Sequence, residues 1–254
     1  LKETRIKKMM DYIIKNETAS LKELSDYFGV SIFTVRRDVN QLVNEGVVKK
    51  KYGGVTVTQP NNKSLAYTSR AMVNQEDKQL IAKQAARLIQ DGEIIYIDGG
   101  TTTSFMPAYV QSQDITVVTN NIVVMNQLLN MPTIDLIFLG GSVRKETQST
   151  CGISAIEQIK LINFDKAFIS CTGISSSFDL TNYTAIDAEL KKIAIRNSEQ
   201  QYVLADQSKL RKASLVTFGH LSTITGLITA KQLLSGYKDY CQLHDVKCFE
   251  VQNE

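Results

Sequence analysis

Thr34, Arg36, Arg37 and Asn40 lie within about two helical turns of one another and carry the groups that read a nucleic acid. An Arg guanidinium forks onto guanine, and an Asn amide pairs with adenine. A few residues on, Lys49, Lys50 and Lys51 run into Tyr52 and Gly53, a basic stretch suited to phosphates rather than base edges. A second polar group is spread over the later chain: Asp98-Gly99-Gly100-Thr101-Thr102, Thr119-Asn120-Asn121, Gly140-Gly141-Ser142 and Asp206-Gln207-Ser208-Lys209. Glycines let a backbone approach an anion, threonines donate, and Lys209 supplies a point charge. Asp98, Asn120 and Asp206 can pair with hydroxyls. Such a set suits a phosphorylated small polyol better than a nucleotide, which would want an adenine slot.

Local patterning shows how the first group is presented. Ser31 is a helix N-cap residue, and Ile32, Val35, Val39 and Leu42 recur behind it as one apolar stripe. Phe33, Arg37 and Asn40 point away from that stripe, with Thr34 and Arg36 on its flanks. Gly46 is the expected stop. Upstream, Ser20 caps Leu21–Phe28, and Gly29 turns the chain into Ser31. Two short helices joined by a glycine turn are a helix-turn-helix. Ile6, Met9, Met10, Ile13 and Ile14 supply a first helix. VVKKKYGGVTVT reads as a hairpin turning at or near Gly53-Gly54, a wing placed to hold phosphates. A charged helix face alone usually marks solvent exposure; these neighbours favour DNA.

Gln59–Ser64 (QPNNKS) breaks the pattern. The expected domains are a winged helix-turn-helix over 1–58, a linker and connecting segment over 59–76, of which Leu65–Glu76 docks onto the second domain, and an α/β domain over 77–254. Beyond the break, a helix with Leu80, Ile81, Ala85 and Leu88 ends at Asp91-Gly92. Strands are expected over Glu93–Asp98, Ile115–Thr119, Ile134–Leu139, Lys166–Cys171, Gln201–Asp206 and Ile224–Thr229. Helices fall around Val124 and Leu128, over Ile153–Leu161 and over Ala185–Asn197. That alternation predicts a Rossmann-like, mostly parallel sheet with helices on both faces. Ligands of such sheets bind at the carboxyl ends of the strands, where all four polar segments fall. Any one of them alone is explained by turn chemistry; their convergence on one rim points to a ligand site. GGTTT is neither a Walker loop nor a GxGxxG fingerprint.

Of 254 residues, 43% are hydrophobic, enough for a sizeable core. Residues 1–60 hold 11 of the 29 Lys and Arg but only 7 of the 26 Asp and Glu, so the basic excess sits where DNA would bind. No apolar run approaches the roughly 20 residues of a membrane span. The numbered chain begins at Leu1, and residues 1–15 lack the apolar core of a signal peptide. Cys151, Cys171, Cys241 and Cys248 show no CxxC pairing, and His220 and His244 are isolated, so no metal site is expected. Cys171, in FISCTG, reads as a small buried residue. The expected setting is a reducing cytoplasm.

The stretch ASLKELSDYFGVSIFTVRRDVNQLVNEGVVKKKYGGV resembles the N-terminal domain of the DeoR family of bacterial transcriptional regulators, through LSDYFGVS, TVRRDV and GVVKKKYGG. Family members usually carry His at Tyr52; tyrosine keeps a ring and a hydrogen-bonding tip. IDGGTTT resembles the family's phosphate loop, which usually has Ser at Gly99. VVTNN, FLGG and LADQSKL match further stations. DAELKK (Asp187–Lys192) resembles a segment that normally opens with Glu, so Asp187 is a shortened version, with Glu189 and Lys191 in place. The resemblance covers nearly the whole chain. It implies a sensor domain related to sugar-phosphate isomerases, with Asp187 and Lys191 in the effector site and no catalysis or cofactor. It further implies a repressor of sugar metabolism that a phosphorylated sugar releases.

Two other readings stand beside it. One is an isomerase or deaminase with a DNA-binding head, for which Asp98, Asp187 and Asp206 are the candidate acids and bases. The other is an architectural DNA binder whose large domain only oligomerises. A homodimer or larger oligomer is expected in any case, since one winged helix buries little surface.

Overall fold

The computed structural model describes residues 2–16, 18–44, 48–57 and 67–252, excluding the side chains of Lys2, Glu3, Lys7, Ile14, Lys15 and Val57. Gly46 and Gln59–Ser64 lie outside the described residues. The chain divides into two compact units, Leu1–Val73 and Asn74–Glu254.

The first unit runs α1 (Lys2–Asn16), β1 (Thr18–Ser20), α2 (Leu21–Phe28), α3 (Ile32–Asn44), β2 (Val48–Lys51), β3 (Gly54–Val57) and α4 (Tyr67–Met72). Ile6, Met9, Met10 and Ile13 of α1 pack with Leu24, Val35, Val39 and Leu42 in one buried cluster. Ser20 and Glu23 form a capping box at the start of α2, and Gly29 ends it in the left-handed region at φ 61°. The three strands pair antiparallel in the order β1-β3-β2. β1 was not legible in the sequence, and it explains Gly54: a Cβ there would sit 2.4 Å from the Ala19 carbonyl oxygen. Two corrections follow. Ile32 is 45% exposed, so the apolar stripe begins at Val35. The connecting segment, expected to dock on the second domain, is divided between the units: residues 67–73 cluster with the first, where Val73 packs against the core, and residues 74–76 open the second.

The second unit opens with α5 (Gln75–Ala86), shorter than the helix expected to reach Asp91. It continues β4 (Ile94–Ile97), β5 (Ile115–Thr119), α6 (Ile122–Leu128), β6 (Ile134–Phe138), β7 (Ser142–Arg144), β8 (Ser149–Cys151), α7 (Ile153–Lys160) and β9 (Phe164–Ser170). After these come β10 (Gly173–Ile174), β11 (Asp179–Asn182), α8 (Ala185–Arg196), β12 (Ser198–Leu204), β13 (Val216–His220), β14 (Gly226–Ala230), α9 (Ser235–Leu243) and β15 (Lys247–Val251). Seven strands form one sheet in the order β15-β14-β12-β9-β4-β5-β6, every neighbouring pair parallel. Strand side chains alternate between faces. Ile95, Ile97, Phe168 and Leu204 therefore pack under α5 and α6, with Ile81, Ala85 and Val124. Tyr96, Ala167, Ile169 and Val203 face the other core, with Ala155, Leu190, Ile193 and Tyr237. Both faces are covered, which is why these strands are nearly all apolar. The β7–β8 hairpin, the small sheet β10-β11-β13, α9 and β15 were not legible in the sequence.

Candidate functional site

Ser31 caps α3, its Oγ accepting from the Thr34 backbone N–H at 3.2 Å and meeting the Thr34 hydroxyl at 3.0 Å. Phe33, Arg36, Arg37 and Asn40 are exposed and Thr34 half-buried. None of Arg36, Arg37 and Asn40 makes a hydrogen bond or ion pair among the described residues. Asp38, which the sequence reading passed over, is fully buried and accepts from Arg5 Nε at 2.7 Å, pinning α3 to α1. In the wing, Tyr52 and Gly53 form the two-residue turn, with Gly53 at φ 75°. Lys49, Lys50, Lys51 and Tyr52 are all exposed. The Gly53 carbonyl accepts from Leu21 N at 3.2 Å, fixing the wing to the start of α2. Arg36, Asn40, Lys50 and Lys51 line a shallow cavity of about 380 Å³ between reader helix and wing.

In the second unit the chain runs β4, β5, β6 outward, then returns to lay β9 on the other side of β4. The crevice beside such a reversal, outside the strand carboxyl ends, is where parallel sheets take ligands. Asp98 leaves β4 there and is buried. Its Oδ1 accepts from Gly100 N at 3.0 Å and Thr103 Oγ1 at 2.7 Å; its Oδ2 accepts from Ser170 N and Oγ, both at 2.8 Å, and from the Lys191 ammonium. Burial alone would raise the Asp98 pKa. The Lys191 charge, with hydrogen bonds from Lys191, Thr103 and Ser170, outweighs it and holds the carboxyl below its ordinary range. Gly100 is dictated by this knot, since a Cβ would fall 2.0 Å from Ser170 Oγ.

The roles expected from residue type shift accordingly. Asp98 and Lys191 are engaged with each other, and Lys191 also donates to the Ser170 carbonyl at 3.0 Å. Asn120 accepts from the Tyr96 hydroxyl at 3.0 Å and donates to the Thr150 carbonyl at 2.9 Å. Asp187 accepts from Thr184 Oγ1 at 2.6 Å and from Arg144, on the β7–β8 hairpin, at 2.8 Å. Its Oδ1 is buried without a hydrogen-bond partner among the described residues. Gly141 lies at the base of that hairpin, which reaches back over the end of β5 through Thr150 N to the Asn120 carbonyl at 2.9 Å. Arg144, Ser170 and the hairpin were missed, and only the polar run after FLGG hinted at the last; Thr103, read within GGTTT as a donor to an anion, donates to Asp98 instead. GGTTT leads into a 3-10 helix, Thr103–Tyr109, with Pro107 inside it.

Thr101, Thr102 and Lys209 are among the expected residues whose side-chain donors are unengaged. The hydroxyls and backbone N–H groups of Thr101 and Thr102 make no hydrogen bond among the described residues, and neither does the half-buried Lys209 ammonium. Asp206 is buried, its Oδ1 accepting from Ser208 N at 2.8 Å and Asn74 Nδ2 at 3.1 Å. Burial works against its ionisation, but Lys209, Ser208 and Lys78 together lower its pKa. Cys171 lies among Lys209, Lys191, Asp206 and Asp98, its thiol pushed up to about 12, chiefly by burial. It is the small buried residue the sequence suggested. Among the described residues there is no metal-binding group of His, Cys, Asp and Glu, and no helix long and apolar enough to cross a membrane.

A winged helix-turn-helix with Arg36, Arg37 and Asn40 unengaged among the described residues, followed by a parallel α/β unit with a polar rim at its switch point, defines a two-part DNA-binding regulator. The comparisons agree. The DeoR-like helix-turn-helix domain matches residues 5–61 and the DeoR C-terminal sensor domain matches 73–231. The chain is 34% identical to the HTH-type transcriptional regulator IolR of Bacillus subtilis, over 97% of this chain and 98% of IolR. It is 30% identical to the HTH-type transcriptional repressor GlcR of the same organism, over 99% and 97%. With the L-fucose operon activator of Haemophilus influenzae it shares 26% over 94% and 96%. The chain belongs to the DeoR family, and it is a DNA-binding transcriptional regulator, not an enzyme.

Proposed function

We propose that this regulator is a repressor of a carbohydrate operon, controlled by a phosphorylated sugar bound at the strand-end rim. What carries the reading is the combination of unengaged donors at Thr101 and Thr102 with a Lys209 ammonium that makes no hydrogen bond among the described residues, on the loops around a topological switch point. The phosphate lies against Thr101, Thr102 and Lys209, and Asp206 takes a sugar hydroxyl. Asp98 and Lys191 hold the floor rather than touch the effector. Arg37 and Asn40 read bases, Thr34 and Arg36 assist, and Lys49, Lys50, Lys51 and Tyr52 hold phosphates. The boundaries 1–58 and 77–254 delimit the operator-reading and sensing parts. Function as a homo-oligomer fits the small surface one winged helix can bury, and a cytoplasmic setting fits a protein that reads operator DNA. Relatives named as repressors, GlcR and the lactose phosphotransferase system repressor of Staphylococcus aureus, support the sign of control.

The test is a thermal-shift titration of the full chain with pentose and hexose monophosphates, their free sugars and inorganic phosphate. One monophosphate is expected to raise Tm where its free sugar does not, and Lys209→Ala is expected to abolish the rise. A rise that survives Lys209→Ala would refute the placement of the phosphate.

A further inference from the structure

Asn74 is the first residue of the second unit, joined directly to Val73, the last of the first. It occupies the N-cap position of α5, where Asn normally adopts an extended backbone and accepts from the second or third amide of its own helix. Here it does neither. Its backbone is left-handed, at φ 53° and ψ 39°, and its side chain makes no cap bond. The amide is turned instead onto the rim, donating to Asp206 Oδ1 at 3.1 Å across 132 residues of sequence. A non-glycine residue held left-handed, beside a helix end left without its cap, is a local cost that the Asp206 contact must offset. The surrounding turn is tied to the same strand ends: Asp77 pairs with Lys231, just past β14, at 2.8 Å.

We infer that Asn74 is a two-state latch coupling occupancy of the rim to the DNA-binding unit. The inference rests on the effector site proposed above. In the latched state Asn74 is held by Asp206. A sugar hydroxyl donating to Asp206 competes for that carboxylate and frees the amide. Asn74 then returns to ordinary N-cap geometry, with its side chain accepting from Glu76 or Asp77 N–H. The accompanying change from positive φ to the extended region redirects the chain at Val73, through which the DNA-binding unit is attached. A few terminal residues absorbing a large φ change is how hinges work. The effector favours the second state because only there is Asp206 wholly available to it. Asn74 is a positioning residue in this scheme and touches neither DNA nor effector.

Asn74→Gly tests it, because glycine adopts φ 53° without strain and lacks only the amide. Hydrogen exchange is followed on the full chain, wild type and variant, with the sugar monophosphates and inorganic phosphate as probes and Tm as the record of binding. In the wild type, a monophosphate that raises Tm should slow exchange at Glu76 or Asp77 by at least about fivefold, at the low end of typical coupling. In Asn74→Gly the Tm rise should persist while that slowing disappears. A Tm rise in the wild type with no change at Glu76 or Asp77 would overturn the latch and leave the effector site standing. The same slowing in both proteins would also overturn it. No Tm rise with any probe would remove the effector site and the latch together.

Discussion

On α3, Arg36, Arg37 and Asn40 stand in solvent with no partner among the described residues. At the strand ends Asp98, Asn120, Asp187 and Lys191 are buried or half-buried and bonded to one another or to the loops around them. Both regions hold the residue types that recognise ligands, but the chain itself uses them oppositely. DNA supplies its own polar groups to an open surface, so residues proposed to read it keep their hydrogen bonds in reserve. A loop cradle has no regular backbone to stiffen it, and buried polar side chains must be satisfied. Most of its chemistry therefore goes into holding its shape, and the proposed effector contacts fall to Thr101, Thr102, Asp206 and Lys209.

Breaking the floor should have the largest effect. Lys191→Met leaves the Asp98 carboxylate buried without its cation, and should cost about 3–5 kcal/mol in urea unfolding. In the wild type Asp98 has its pKa lowered by folding, so its contribution is full above the unfolded carboxylate pKa. It is lost as pH falls through the folded value. Stability that depends on pH identically in the variant would show that Asp98 is not the group held. On the open face, Arg37→Ala should leave unfolding unchanged. It should lower discrimination at one operator base pair by about 1–3 kcal/mol, read by competition between single-base operator variants. The smallest effect is expected at the wing: Lys50→Ala should weaken all sequences alike and reduce the salt slope of binding by about 1. Equal, sequence-independent losses for Arg37→Ala and Lys50→Ala would erase the division between base-reading helix and phosphate-holding wing.

The two regions also differed in how far the sequence exposed them. α2, the glycine turn, α3 and the wing are specified locally: Ser20 and Ser31 cap, Gly29 takes the left-handed turn, and the apolar spacing chooses the buried face. Ile32 was misplaced because periodicity assigns a face but not where the neighbouring helices stop covering it. Five strands of the large sheet were recognised from their apolar runs, and the sixth, β14, was found a little early. β15 went unseen because KCFEV is an edge strand of mixed character, and the β7–β8 hairpin because its pairing lies in contacts between residues remote in sequence.

What the sequence by itself determined was which residues could do chemistry and which elements carry them, because capping, turns and periodicity act over a few residues. Only the tertiary structure decided which of those residues remain free to do it. Whether Asp98 meets a sugar hydroxyl or Lys191, and whether Asn74 caps its helix or crosses to Asp206, depends on partners 93 and 132 residues away. Those partners meet only once the sheet has brought its strand ends together.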